Sequence, residues 1–233
     1  MFWEMYLAAV LLDLNVGLVP RERRRFKLKG PDFEVGQLPV WIEATAVSAG
    51  RGPDAVTEAP LGQARDVPDD KIRLRLLAGI DAKAKRLQGY LASGLVGTDE
   101  PFVIAVSGGL VPSARLESSV PRIVRAVLGI GPLTLFLDRE TLETLDSRHE
   151  YEPELKKENK SSVRTDLFHV PAGDSISALM YGSADVLNQP DAVGQDLILI
   201  HNPRALNRLP RGFIRRGREY WLDGESLNCV THY

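Results

Sequence analysis

Two acids on either side of one short turn carry the first chemistry this sequence offers. Asp32 lies in PDFEV and Glu43 in PVWIEATAV, with GQLP (36–39) between the two runs. If those four residues form the loop of a hairpin, Val35 pairs with Val40, Glu34 with Trp41, Phe33 with Ile42 and Asp32 with Glu43. Directly opposed residues on one face of an antiparallel pair have Cβ atoms about 4.5–5.5 Å apart, and like charges there repel. A divalent cation reverses the sign, because carboxylate oxygens are the ligands that Mg²⁺ and Mn²⁺ prefer. A one-residue slip puts the two side chains on opposite faces, so the expectation stands on the register. Singly, Asp32 reads as a turn residue after Gly30-Pro31 and Glu43 as a solvent-facing strand residue. The strand around Glu43 argues against the second reading. Trp41, Glu43 and Thr45 share one face, and Val40, Ile42, Ala44 and Ala46 the other. A carboxylate in such a strand is costly to bury unless it is paired or metal-bound.

The elements that must position these acids follow from periodicity and punctuation. Trp3, Leu7, Val10, Leu11 and Leu14 fall on one face of a helix over residues 2–14, ended by Asn15 and Gly17. It begins almost at Met1, with no room for an N-cap. Strands are expected at Phe26–Lys29, Asp32–Val35 and Val40–Val47. Residues 48–68 form a Gly/Pro/Ala-rich loop, long enough to suggest function or motion. A helix then runs from Asp69 to about Leu91, and Phe102–Val106 is a buried strand. The order is αβββαβ. Beyond it come a helix at Pro121–Leu128, a strand at Leu133–Leu137 and a charged stretch at Glu150–Lys160. Strands follow at Ser175–Tyr181 and Asp196–His201, then a hairpin over Glu219–Val230 turned at Asp223-Gly224. The reading is one α/β domain, with a core over 1–107 and a mixed, mostly β extension over 108–233 packed on it.

PDFEV, a short turn and VWIEAT resemble the PD-(D/E)xK motif of the restriction-endonuclease-like nucleases, and the element order is that superfamily's core topology. The resemblance covers roughly residues 2–106. It implies that Asp32 and Glu43 hold Mg²⁺ or Mn²⁺, that Glu4 on the first helix faces the metal site, and that the substrate is DNA, or RNA, cut at its phosphodiester bonds. It also implies a lysine two residues after Glu43, where this chain has Thr45. Either the lysine has moved to another element or the site binds nucleic acid or a protein partner without cutting. The helix over 69–91 offers a replacement. Its apolar stripe is Ile72, Leu76, Leu77, Ile80, Ala84, Leu87 and Leu91. At 100° per residue Lys83 and Arg73 fall inside that arc, whereas Lys71, Arg75 and Lys85 fall outside. A cation there needs an acidic partner, or snorkels to water along its stem. A third reading makes the acids ordinary surface residues of an accessory protein.

Composition bounds the rest. The chain has 233 residues, a net charge of −2 and 44% hydrophobic residues, as a soluble globular protein has. Bulk charge demands no polyanionic partner, but its distribution suggests one. Residues 21–29 hold six basic side chains in nine, including Arg23, Arg24, Arg25 and Lys27. Residues 204–218 hold six arginines in fifteen, including Arg215 and Arg216. Such runs are either phosphate-binding faces or solvated ones. The one cysteine, Cys229, excludes an internal disulfide and is consistent with the cytoplasm. The apolar start carries Glu4 and Asp13, lacks a basic flank and is too short to span a bilayer, so no membrane partner is expected. Four histidines without HxH or HExxH spacing give little support for zinc. GxSxG, GxGxxG and Walker A sequences are absent.

Overall fold

The computed structural model describes residues 2–24, 30–36, 39–60 and 62–233. Among the described residues it is a mixed α/β structure with three α-helices and one dominant sheet. The helices are α1 (Phe2–Asp13), α2 (Asp69–Ala92) and α3 (Arg122–Leu128). The strands are β1 (Phe33–Val35), β2 (Val40–Ser48), β3 (Phe102–Leu110), β4 (Ile130–Leu137), β5 (Thr144–Tyr151) and β6 (Glu154–Lys156). They continue with β7 (Ser162–Arg164), β8 (Ala178–Gly182), β9 (Ile198–His201), β10 (Gly217–Asp223) and β11 (Ser226–His232). Seven of these form one sheet, in the order β1-β2-β3-β8-β9-β10-β11. β2, β3 and β8 run parallel, and β1, β9 and β11 attach antiparallel to β2, β8 and β10.

Parallel neighbours need crossovers, and helices fill them. α2 joins β2 to β3, and α3 lies in the connection from β3 to β8. Both cover the sheet face that carries Trp41, Val47, Phe102, Ile104 and Val106. α1 covers the other face, where Trp3, Leu7, Val10 and Leu11 meet Val40, Ile42, Ala44, Val103 and Ala105. β3 is buried over its first seven residues, as a central strand between two helical layers must be.

The expected strand at Phe26–Lys29 lies outside the described residues. The outer edge of β1 is met instead by an antiparallel bridge from Leu18 to Val35, with the Val19 N–H donating to the Glu34 carbonyl at 2.8 Å. The expected core and extension share one sheet, because β8 pairs with β3 and carries β9, β10 and β11 with it. The charged stretch over 150–160 is not irregular. It ends β5 and forms β6, which pairs with β7 in a two-stranded ribbon. The first part of the long loop, residues 48–56, is pinned rather than loose. Val56 is buried, its N–H donates to the Ala49 carbonyl, and Arg75 donates to the Ser48 carbonyl.

Candidate active site

The hairpin register is Phe33↔Ile42, Glu34↔Trp41 and Val35↔Val40. This is the register the four-residue loop requires, and the pairing ends at Phe33↔Ile42, one residue short of Asp32 and Glu43. Alternation along β2 turns Glu43 to the α2 face, away from Ile42, whereas Asp32 lies just before β1. Asp32 is fastened to the neighbouring strand, with its Oδ2 accepting from the Ala44 N–H at 2.7 Å. Glu43 is buried, 1% exposed, yet both its carboxylate oxygens accept from side chains. Its Oε1 accepts from Lys83 Nζ at 2.7 Å and Arg86 Nη1 at 3.0 Å, and its Oε2 from the Tyr90 hydroxyl at 3.3 Å. The negative charge of Asp32 also reaches Arg86 and Tyr90, as the smallest of the influences on each.

The helix reaches Glu43 because of Gly79. A Cβ at that position would stand 2.5 Å from Val47 Cγ1 and 3.5 Å from Thr45 Cγ2, so the backbone of α2 lies directly on β2. Lys83, Arg86 and Tyr90 follow Gly79 by four, seven and eleven residues, which keeps all of them on the stripe facing the strand. The close approach also accounts for Thr45. A long side chain there would have to pass the helix that crosses it, whereas the same ammonium delivered from α2 meets Glu43 directly. Burial, and next the charge of Glu43, push the Tyr90 hydroxyl up to about 12, so Tyr90 remains a donor at neutral pH. Lys83 is largely enclosed at 15% side-chain exposure, whereas Arg86 is open at 60%.

Other expected site residues go elsewhere. Glu4 is exposed on α1, the helix on the face opposite to Glu43, so it does not face the strand acids. Arg73 is buried as its spacing requires. Its partners are Glu152 at 2.6 Å and Asp70 at 3.4 Å, not Glu43. Arg23 is exposed, and Arg24 folds back, donating to the Val19 and Pro31 carbonyls. Arg25 and Lys27 lie outside the described residues. Arg215 is exposed, but Arg216 pairs with Asp13 at the end of α1, 2.7 Å away, and is not a free phosphate contact. Arg86 and Tyr90 are site residues the sequence reading passed over. Their offsets of three and seven from Lys83 are the signal that places them beside it.

Among the described residues, no three His, Cys, Asp or Glu side chains gather into a group able to hold a metal ion. Two carboxylates nevertheless match the donor set that Mg²⁺ takes when water and substrate phosphate fill its remaining positions. The pair Asp32 and Glu43 fits that set in kind. No described helix is long and apolar enough to cross a membrane. No protein-family model, curated protein or solved structure matches the chain.

Proposed function

We propose that this chain is a divalent-metal-dependent phosphodiester hydrolase acting on DNA, built on a restriction-endonuclease-like core. The observation that carries the reading is the contact of Lys83 with Glu43, at 2.7 Å. It supplies from α2 the ammonium that Thr45 lacks. Mg²⁺ or Mn²⁺ held by Asp32 and Glu43 would polarise the scissile phosphate and lower the pKa of the attacking water.

The chain's own groups have separable tasks. Asp32 and Glu43 carry two negative charges, balanced by Lys83 and Arg86. A divalent ion bound there would compete with Lys83 and Arg86 for the carboxylates, and the cations it displaced would be free to meet a phosphodiester. Lys83, held by Glu43, places an ammonium where negative charge develops on the phosphoryl oxygens. Arg86 is open to solvent and can meet the substrate phosphate from outside. Tyr90 holds the second oxygen of Glu43 and fixes the carboxylate plane.

A second reading, a nuclease-fold protein that binds nucleic acid or a protein partner without cutting, is favoured by Glu43, both of whose oxygens already accept from side chains. One experiment separates the two. Purified protein is incubated with plasmid, linear and single-stranded DNA in Mg²⁺, in Mn²⁺ and in EDTA, alongside Asp32→Ala and Glu43→Ala. The hydrolase reading expects metal-dependent cleavage that both variants lose. Variants that cut like the wild type sink it, and DNA binding without cleavage supports the second reading.

A further inference from the structure

A second polar pocket, of about 190 Å³, lies where β8 begins and β9 ends, and the strand acids play no part in it. His201, Asn202, Arg208, Arg211 and Trp221 are among the residues that line it. It is three to four strands away from β2, roughly 15–20 Å at the usual strand spacing.

Behind the pocket wall lies Glu219, which is 2% exposed. Its Oε1 accepts from His201 Nε2 at 2.6 Å and from the Gly212 N–H at 2.8 Å, and its Oε2 from His232 Nε2 at 2.8 Å. Burial works to raise its pKa, but these donors outweigh it and hold the carboxyl at about 2. An ionised carboxylate only accepts, so His201 must carry a proton on Nε2. Its Nδ1 bonds to no described residue and is left for the pocket. Through Gly212 the same carboxylate anchors the β9–β10 loop that carries Arg208 and Arg211.

Both arginines are exposed, and among the described residues neither is paired with a carboxylate. Arg211 lies over the Trp221 ring, 4.2 Å from its centroid. Stacking fixes the guanidinium plane and leaves its in-plane N–H groups to an oxyanion. Arg208 touches only the Pro203 carbonyl, at 3.5 Å. The volume is below the roughly 300–1,000 Å³ of sites that enclose a whole small molecule, so it suits a group rather than a complete ligand.

We infer that this pocket binds a phosphate monoester, as found at a phosphorylated nucleic-acid end or on a mononucleotide, with Arg208 and Arg211 as its cationic jaws and His201 at its floor. A monoester differs from the diester backbone in its second ionisation, near pH 6. It can therefore share a proton with His201 Nδ1, which a diester cannot. The inference does not rest on cleavage at Glu43.

The test is binding in EDTA by the full chain. The probes are a short single-stranded oligonucleotide with a 5′-phosphate, a 3′-phosphate or hydroxyl ends, and a nucleoside 5′-monophosphate against its nucleoside. Phosphorylated forms are expected to bind about tenfold or more tightly, the worth of one charge-assisted contact. Arg208→Gln and Arg211→Gln are exposed changes that should keep the melting temperature and lose most of that preference. Preference among oligonucleotides alone assigns the site to strand ends, and equal preference for the nucleotide assigns it to mononucleotides. No preference, or one that survives both substitutions, overturns the inference. Glu43→Gln and Lys83→Met should leave the preference intact, so failure of the pocket and failure of the hydrolase reading are read separately.

Discussion

Lys83 Nζ stands 2.7 Å from Glu43 Oε1, joining helix α2 to strand β2 across forty residues of sequence. The acid is buried and the ammonium nearly so, which makes the pair sensitive to loss of either partner. Lys83→Met should lower cleavage by about 10²–10³-fold, the scale of removing one preorganised donor from a transition state. It should also cost about 1–3 kcal/mol in urea unfolding. Stripping a buried charge of its partner typically costs about 3–5 kcal/mol, and here Arg86 still faces Glu43. Lys83→Arg should recover the stability but not the full rate, because a planar guanidinium cannot stand where a compact ammonium does.

Gly79 sets the distance at which all of this happens. Alanine is the better helix former by about 1 kcal/mol, so an exposed Gly79→Ala would stabilise α2. Here the new methyl would lie 2.5 Å from Val47 Cγ1. The expected outcome is destabilisation of about 1–3 kcal/mol, the range for overpacking. Val47→Ala in the same chain should recover much of it, giving a coupling energy of about 1 kcal/mol or more in a double-mutant cycle. Additive effects would mean that the close approach is not what excludes a side chain at position 79.

The same residues show what the sequence could tell. The β1–β2 register was legible because loop length and two-residue alternation agree, and Lys83 because helical spacing puts it inside an apolar arc. Arg86 was missed because it borders that arc, and Tyr90, which shares the angular position of Ile72, because it carries no charge. Glu4 was misplaced for a different reason. Periodicity says which side of α1 is buried, not which face of the sheet that side covers. Arg73 was read correctly as buried, but its partner Glu152 sits in a region without motif or strong pattern. The joining of β8 to β3 had no local signal either, since parallel pairing across some seventy residues is decided by packing alone. The ribbon of β6 and β7 was hidden by its charge, because only Leu155 in it is buried.

Glu219 gives a pH prediction whose sign follows from its depressed pKa. The carboxyl is held at about 2 against an ordinary 4.5, so its ionised form is favoured by folding. That contribution is complete above about pH 4.5 and is lost as pH falls through about 2. A difference of this size corresponds to about 3 kcal/mol, and the side chain is too enclosed for solvent to screen most of it. Glu219→Gln should therefore unfold at lower urea than the wild type at pH 7, and the gap should close between pH 4.5 and 2. A gap that stays constant with pH would assign the loss to packing rather than to charge.

Asp32 has two tasks that substitution can separate. Its Oδ2 accepts the Ala44 N–H at 2.7 Å, which ties the chain before β1 to β2. In the proposed function its charge would hold a cation together with Glu43. Asparagine keeps an acceptor oxygen of the same reach and removes the charge, whereas alanine removes both. Asp32→Asn should stay within about 0.5 kcal/mol of the wild type and lose metal-dependent cleavage. Asp32→Ala should lose cleavage and a further ~1–2 kcal/mol, the cost of an unmet backbone donor at a partly buried site. Urea unfolding and a plasmid cleavage assay on the two variants distinguish the tasks. Full cleavage by Asp32→Asn would mean that the acid is a strand fastener and nothing more, and the metal pair would have to be abandoned.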